Sequence, residues 1–217
     1  IMLSVPLIIE KIYFNKIKPT FTDKAALRTI YKLPPVRKML NRVAGKKLME
    51  TFGGEIIFFG IGGAKVNPEV ERFLFEAKFP YAIGYGLTET APLLAGMAPD
   101  NCRLYSTGPA CEEVELILND PDPATGEGEI WARGPNIMKG YYKNPEKTKE
   151  VLTEDGWFRT GDLGAVDKDG FVFIRGRLKT VIVGPSGENI YPEEIESMIN
   201  TFKHVVESLV IEKGGKL

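Results

Sequence analysis

The sequence predicts an α/β fold in which helices and a parallel β-α-β unit precede short antiparallel strands and a final strand–turn–helix segment. The first observation is EIIFFG, a continuous apolar run between Gly54 and Gly60, which is typical of a strand buried on both faces of a parallel sheet. The second is the close spacing of short strands and turns from about residue 100. The third is YPEEIE, residues 191–196, whose proline and acidic residues favour a helix start.

The composition is that of a globular chain without a basic surface. The 217 residues are 43% hydrophobic, and 28 Lys and Arg face 29 Asp and Glu, for a net charge of −1. No excess of positive charge is available to follow a phosphate backbone, so nucleic acid is not an expected partner. Cys102 and Cys111 have neither metal-site spacing nor the density of a disulfide scaffold, which favours the cytoplasm.

The histidine content excludes several kinds of catalytic site. His204 is the single histidine, so a Ser-His-Asp triad or a multi-histidine metal site would depend on it alone. We interpret His204 as a connection between a helix and a strand. Any chemistry must then use carboxylates, hydroxyls, lysines, arginines or a bound nucleotide.

Residues 1–52 predict helices. The opening IMLSVPLIIEKIYF is apolar but shorter than a bilayer span and without a basic leader or cleavage site, and we expect a buried helix from Ile1. In VRKMLNRVAGKKLMETF, one helix face is predicted by the i, i+3, i+4, i+7 spacing of Val36, Met39, Leu40 and Val43.

A glycine loop and a helix follow the EIIFFG strand. In NPEVERFLFEAKF, Asn67 is a good N-cap and Pro68 suits the first helical position. YAIGYG then resumes as a strand, so residues 55–90 predict a β-α-β unit. Ligands of open parallel sheets bind at the carboxyl ends of the strands, which is where its loops lie.

The second half predicts a small antiparallel barrel or meander. Its strands are CEEVELIL, GEIWARG, LGAVD and FVFIRG, the last two joined by DKDG. DKDG lacks the later ligands of a calcium loop and is interpreted as a hairpin turn. After it, TVIVGPSGENIYPEEIESMINTF predicts a strand, a turn and a helix, and HVVESLVIE predicts a strand. The apolar face of that helix is predicted to contain Ile195, Met198, Ile199 and Phe202.

Two glycine-containing stretches are the first candidates for ligand binding. FFGIGGAK starts like a dinucleotide fingerprint, but Lys65 occupies the third glycine position, so a plain turn is an equal alternative. GYGLTETAP, residues 84–92, combines an aromatic face in Tyr85, a hydroxyl in Thr88 and a hard oxygen ligand in Glu89. A nucleotide carries a ring, a phosphate and a metal within one molecule's length; the alternative is a capping Thr beside a solvated Glu.

Two later stretches are further candidates. In GWFRTGDLG a permissive Thr-Gly backbone precedes Asp162, whose carboxylate could accept hydrogen bonds from two vicinal ribose hydroxyls. In RGRLKTVI three cations lie where the antiparallel strands end. The alternatives are a turn before a strand and a solvated linker.

The ordered series GGA, GYGLTE, RTGDL, GRLK and GENIYPEEIE resembles the adenylate-forming (AMP-binding) superfamily, over essentially the whole chain. Three further stretches, SVPLIIEKIYFNKI, RLKT and FVFIRGR, are most similar to long-chain fatty acid-CoA ligases of bacterial type. The resemblance implies that a fatty acid attacks the α-phosphorus of ATP to give an acyl-adenylate and pyrophosphate, and that CoA then displaces AMP. It also implies an α/β nucleotide-binding subdomain in residues 1–98, an antiparallel β-barrel subdomain in 99–176 and the start of a small mobile domain in 177–217.

The resemblance implies which residues form the adenine site. Gly62, Gly63 and Ala64 would border the adenine, with Tyr85 against the ring and Gly86 in the same nucleotide-binding group. Glycines permit this because they allow a flat ring to approach the backbone.

The resemblance also implies the residues that act on phosphate and ribose. Thr88 would hold the α-phosphate and Glu89 would bind Mg²⁺, both as catalytic residues. Asp162 would accept hydrogen bonds from both ribose hydroxyls, Arg177 would reinforce that contact, and Lys179 would be the hinge of the small domain.

Two elements of the superfamily are missing from the sequence. These are the Ser/Thr/Gly-rich loop with its lysine and the second lysine near the end of the small domain. We therefore expect a piece of a longer enzyme with little or no activity by itself. Because the implied substrate is a lipid, we also expect peripheral contact with a membrane. The alternatives are an amino-acid- or aryl-acid-activating domain, a non-catalytic nucleotide-binding module and a Rossmann-type oxidoreductase.

Overall fold

The computed structural model describes residues 1–184, 189–202 and 204–212. The chain forms two units, one made of Ile1–Tyr85 and Ala95–Gly108, the other of Gly86–Leu94 and the chain from Pro109 onward. No helix in the described part of the chain is long and apolar enough to cross a membrane. The three-part division made from the sequence stays a prediction.

The first unit opens with a strand. β1 (Met2–Ser4) pairs in parallel with β2 (Phe59–Ile61). The first helix begins only at Pro6, which lacks the amide hydrogen that a ladder needs and suits a first helical position. The prediction of one buried helix from Ile1 was therefore wrong, because apolar content alone does not distinguish a short strand from a helix.

Most helices of the first unit come between β1 and β2 in the sequence. Their bounds are α1 (Pro6–Ile12), a π-helical segment Tyr13–Ile17, α2 (Lys18–Thr22), α3 (Ala25–Ile30) and α4 (Pro34–Thr51). The predicted helical content of residues 1–52 is confirmed apart from β1.

The predicted β-α-β unit is confirmed. α5 (Pro68–Ala77) connects β2 to β3 (Tyr81–Ile83), and the parallel sheet has the order β1-β2-β3. The Asn67 side chain accepts a hydrogen bond from the Glu69 amide at 2.9 Å, which confirms the N-cap. β2 begins later than EIIFFG indicated, and Ile57 is 75% exposed.

The buried face of α4 differs from the predicted one. Met39 and Val43 are 59% and 55% exposed, whereas Asn41, Gly45 and Leu48 are buried. Gly45 is buried because a Cβ there would lie 2.7 Å from the Cβ of Ala77, so α4 and α5 approach too closely for a larger residue. The core of this unit includes Ile9, Tyr13, Phe59, Val70, Phe73, Leu74 and Tyr81.

A short irregular region follows β3. β4 (Tyr85–Gly86) and β5 (Leu93–Ala95) form a two-stranded sheet, with a 3₁₀ turn at Thr88–Thr90 and another at Pro99–Asn101. The first of these turns carries Thr88 and Glu89 of the candidate site.

The second unit contains the predicted antiparallel strands. β6 (Glu115–Asn119), β7 (Gly128–Arg133), β8 (Phe158–Val166) and β9 (Val172–Arg177) pair in that order, with α6 (Pro145–Val151) before β8. Of the two predicted arrangements, the described strands form the meander. DKDG is a hairpin turn, in which Asp167 Oδ1 accepts hydrogen bonds from the amides of Asp169 and Phe171 at 2.9 and 3.0 Å.

The last segment contains β10 (Ile182–Val183), β11 (Asn189–Ile190) and α7 (Pro192–Ile199). The helix is confirmed, but Met198 and Phe202 of its predicted apolar face are 68% and 64% exposed. The predicted strand HVVESLVIE was wrong, because the described residues 204–212 pair with no strand, and a strand requires a hydrogen-bonded partner. Most of the turn before α7, residues 185–188, lies outside the described residues, and so does part of the GENIY motif.

Candidate functional site

The glycine loop after β2 lies at the carboxyl edge of the parallel sheet. The Gly84 amide, just after β3, donates to the Ile61 carbonyl oxygen at 3.0 Å, so both strand ends are joined. A Cβ added at Gly62 would lie 3.6 Å from the Gly84 carbonyl oxygen, which is ordinary contact. Gly63, with φ of +87°, and Ala64 are exposed. The loop thus presents mostly backbone to solvent, as a flat ring would require.

Tyr85 follows Gly84 directly and ends this edge of the first unit. Only 8% of its surface is exposed, so most of the ring packs inside the protein. Its predicted contact with an adenine ring stays a prediction.

The turn that carries Thr88 and Glu89 is closed from inside by Thr90. The Thr90 hydroxyl accepts a hydrogen bond from the Leu87 amide at 3.0 Å and donates to the Pro92 carbonyl oxygen at 2.6 Å. Thr90 is fully buried, whereas Thr88 is exposed and Glu89 is half-buried. The buried hydroxyl therefore fixes a turn whose two candidate side chains are accessible.

A glycine is required at position 86 because there is no room for a side chain, and not only because the backbone must bend. A Cβ there would overlap the carbonyl oxygen of Pro92, so no other residue fits without movement of the backbone. Because Thr90 also bonds to this carbonyl, Gly86 and Thr90 fix the same side of the turn.

A second segment, Asn136–Tyr141, holds the turn from outside. Asn136 Nδ2 donates to the carbonyl oxygens of Thr90 and Leu93, each at 2.8 Å, and the Met138 amide donates to the Glu89 carbonyl oxygen at 2.8 Å. The Tyr141 hydroxyl donates to Glu89 Oε1 at 2.9 Å. Sequence reasoning missed this segment; the available signal was GYYKNPE, a glycine and two tyrosines directly before a helix start.

Asp162 lies on a β-bulge of β8. The register between β7 and β8 shifts between Glu129 and Trp131 of β7. On the β8 side of this bulge, Gly161 has φ of +71°. The Thr160 hydroxyl donates to the Ile130 carbonyl oxygen at 2.6 Å and accepts from the Asp162 amide at 3.1 Å. The alternative considered for this stretch, a turn before a strand, is therefore wrong: the residues form a bulge inside β8, and bulges of this kind redirect a side chain.

Arg177 is the partner of this carboxylate. Its Nε lies 2.9 Å from Asp162 Oδ1, and the two residues are opposite each other in the β8–β9 ladder. Asp162 is 5% exposed. The structure thus brings together the two residues to which a common ribose contact was assigned.

Lys179 is exposed in a turn after β9. Beyond it, the Thr180 hydroxyl donates to Glu193 Oε1 at 2.7 Å, and the Tyr191 hydroxyl donates to Glu127 Oε2 at 2.6 Å. These bonds join the segment after Lys179 to itself and to the loop before β7. A hinge at Lys179 stays a prediction.

The remaining titratable groups of the described residues form no metal-binding cluster. Among the described residues no group of three or more His, Cys, Asp or Glu could hold a metal ion. Burial raises the pKa of the Cys102 thiol to about 11, so this thiol stays protonated near neutral pH. His204 is exposed in a turn after α7, but no strand follows it in the described residues 204–212, so its interpretation as a connection between a helix and a strand holds only on the helix side. A single carboxylate such as Glu89 still fits Mg²⁺, which keeps several waters and binds nucleotide phosphates with one or two protein carboxylates.

Residues 1–142 match the model of the family described as AMP-binding enzyme. The chain is 41% identical over 143 residues to the long-chain-fatty-acid–CoA ligase heimdall of Drosophila melanogaster, covering 66% of this chain and 21% of that protein. It is 29% identical over 218 residues to long-chain-fatty-acid–CoA ligase 1 of Saccharomyces cerevisiae, covering 98% of this chain and 30% of that protein.

The fold is similar to that of the o-succinylbenzoate CoA synthetase MenE of Bacillus subtilis. Its complex with the acyl-adenylate intermediate OSB-AMP matches with a TM-score of 0.64 at 28% identity, over 79% of this chain and 38% of that chain. Its complex with ATP and magnesium ion matches with the same TM-score and identity, over 39% of that chain. The chain thus spans between 21% and 39% of the lengths of these proteins. Because the family model matches well over half of its residues, and the predicted fold class is confirmed, the chain belongs to the family of AMP-binding enzymes.

Proposed function

We propose that this chain forms the nucleotide-binding part of an ATP-dependent ligase that activates a long-chain fatty acid as an acyl-adenylate and transfers it to CoA, releasing AMP and pyrophosphate. The observation that carries the proposal is Asp162, a carboxylate that is 5% exposed, set by a bulge and paired with Arg177. Burying a charge is costly unless it has a partner, and Arg177 supplies one here. In this proposal the Asp162 carboxylate accepts hydrogen bonds from the two vicinal hydroxyls of the ribose.

The residue roles belong to the same proposal. Thr88 would donate to an α-phosphate oxygen and Glu89 would bind Mg²⁺, both from the turn that Thr90 closes. Negative charge builds on the phosphoryl oxygens during attack by the carboxylic acid, and fixed donors with a cation stabilise that charge. Gly62, Gly63, Ala64, Tyr85 and Gly86 would contact the adenine end of the nucleotide.

Binding of AMP tests the nucleotide site directly. Calorimetry on the 217-residue chain should show weak AMP binding that Asp162→Ala abolishes, because two hydrogen bonds to a carboxylate are lost. The matched control is Glu154→Ala, an exposed carboxylate in the turn before β8. Binding of NAD⁺ without AMP would contradict the proposal and favour an oxidoreductase.

The reaction is tested with the protein that contains this chain. Supplied with ATP, MgCl₂, CoA and palmitate, it should produce AMP and palmitoyl-CoA, measured by chromatography. Absence of AMP with every acid tested would favour a non-catalytic nucleotide-binding module.

Substrate class is the finer part of the proposal. The similarity to the two long-chain-fatty-acid–CoA ligases supports a fatty acid, whereas MenE, which matches over 79% of the chain, supports an aryl acid as the second candidate. Comparing kcat/KM for palmitate and for benzoate decides between them. We further propose that the 217-residue chain alone has little or no activity, that the protein acts in the cytoplasm, and that it contacts membranes only peripherally to collect lipid.

A further inference from the structure

We infer that Tyr141 is a positioning residue for Glu89, whose hydroxyl fixes one carboxylate oxygen and leaves the other to a divalent cation. The Tyr141 hydroxyl donates to Glu89 Oε1 at 2.9 Å. Within the described part of the chain, Glu89 Oε2 has neither a hydrogen-bond nor an ion-pair partner. The inference rests on the proposed function, in which Glu89 binds Mg²⁺.

The start of α6 holds Tyr141 in place. The Tyr141 amide donates to the Thr148 hydroxyl at 2.9 Å, and this hydroxyl donates to the Asn144 carbonyl oxygen at 2.9 Å. Asn144 in turn caps α6 by accepting from the Lys147 amide at 3.0 Å. A Cβ at Gly140 would lie 2.8 Å from Thr148 Cγ2, so the residue before Tyr141 packs closely on the same helix. The tyrosine is therefore attached to regular structure and does not depend on a free loop.

The same segment also fixes the backbone of Glu89. The Met138 amide donates to the Glu89 carbonyl oxygen at 2.8 Å, and Asn136 bonds to the neighbouring Thr90 carbonyl oxygen at 2.8 Å. With the backbone held in this way, the Tyr141 hydroxyl is the contact that restrains the Glu89 side chain. Two attachments on one residue determine the direction of its carboxylate.

A neutral donor suits a metal ligand better than a cationic one. A lysine or arginine at this place would neutralise the carboxylate, but none forms an ion pair with Glu89 among the described residues. The phenol restrains the geometry and leaves the negative charge for the cation. Hydrogen-bonded partners of metal-binding carboxylates matter in this way, and their removal typically costs about 10- to 100-fold in metal affinity or activity.

The test compares Tyr141→Phe with Tyr142→Phe. The control removes the hydroxyl of the adjacent tyrosine, which is 87% exposed. Binding of MnCl₂ to the protein, measured by the electron paramagnetic resonance signal of free Mn²⁺, should weaken about 10-fold or more in Tyr141→Phe. In the ligase assay the half-saturating Mg²⁺ concentration should rise by a similar factor, with kcat largely recovered at saturating Mg²⁺. Tyr142→Phe should change neither quantity.

The outcomes distinguish failure of the positioning role from failure of the proposed function. Equal Mn²⁺ affinity in the two variants would overturn the positioning role, as would a lowered kcat at every Mg²⁺ concentration with unchanged half-saturation, which indicates a structural role only. Unchanged Mn²⁺ affinity in Glu89→Gln would remove Glu89 as a ligand and overturn the inference as well. A protein that makes no AMP, yet loses Mn²⁺ affinity in Tyr141→Phe, contradicts the proposed function and supports the positioning role.

Discussion

Arg177 Nε and Asp162 Oδ1 lie 2.9 Å apart across neighbouring strands, with the carboxylate almost fully buried and the arginine side chain 54% exposed. The arrangement desolvates the anion more than the cation, so the arginine stabilises a charge that would otherwise be costly to bury. It also leaves Asp162 fixed before any ligand arrives, which lowers the entropic cost of binding.

Loss of the arginine should destabilise the second unit. We expect Arg177→Gln to lower the free energy of unfolding in urea by about 1–2 kcal/mol, because a buried carboxylate loses a charged partner that solvent only partly replaces. The matched control is Lys147→Gln, which removes the cation of an exposed ion pair with Glu150 at 3.6 Å and should change little. Equal effects of the two substitutions would show that the Asp162 pair is no more than a surface pair.

Two glycines of the candidate site should respond differently to alanine. Gly86→Ala should destabilise the protein by about 1–3 kcal/mol, because its Cβ overlaps the Pro92 carbonyl oxygen. Gly62→Ala should leave the melting temperature unchanged and weaken AMP binding, because its Cβ finds ordinary contacts but covers backbone proposed to face the adenine. Thermal unfolding and calorimetry check both, and a stable Gly86→Ala protein would contradict the steric argument.

Stability of the first unit should depend on the protonation of Glu71. Burial raises the pKa of this carboxyl to about 7, although the Tyr105 amide donates to it at 2.5 Å. The folded state therefore binds a proton more tightly than the unfolded state. The stability that this proton contributes, up to about 3 kcal/mol, is complete below the unfolded value of 4.5 and is lost as pH rises through about 7.

Glu71→Gln should abolish this part of the pH dependence, since glutamine resembles the protonated carboxyl and still accepts from Tyr105. Urea unfolding at pH 5 and pH 8 measures it: the variant should gain on the wild type as pH rises. Parallel pH profiles for the two proteins would rule out a raised pKa at Glu71.

The hydrogen bond between Tyr191 and Glu127 should protect the chain around Lys179 from proteolysis. In Tyr191→Phe the 2.6 Å hydrogen bond is absent, so we expect faster trypsin cleavage after Arg177 and Lys179, followed by mass spectrometry. Tyr142→Phe serves as the control because its hydroxyl is exposed. Unchanged cleavage would mean that this bond does not hold the segment beyond the linker.

Local signals predicted the element types well where one interaction dominates. Asn67 caps α5 because its side chain reaches the Glu69 amide two residues away, and DKDG turns because Asp167 bonds to amides two and four residues on. The predictions failed where distant packing decides. Met39 and Val43 fit an apolar face, yet α4 buries Gly45 against Ala77, a contact that no periodicity in α4 contains.

The sequence by itself determined the family, the α/β class and the candidate residues, because the ordered motifs and the local turn chemistry are properties of neighbouring positions. Only the tertiary structure decided that Gly86 must lack a side chain, that Thr160 and Gly161 form a bulge beneath Asp162, and that Tyr141 bonds to Glu89. Tyr141 and Glu89 are far apart in the chain, and their contact depends on how two segments pack, which the order of residues in either segment does not express.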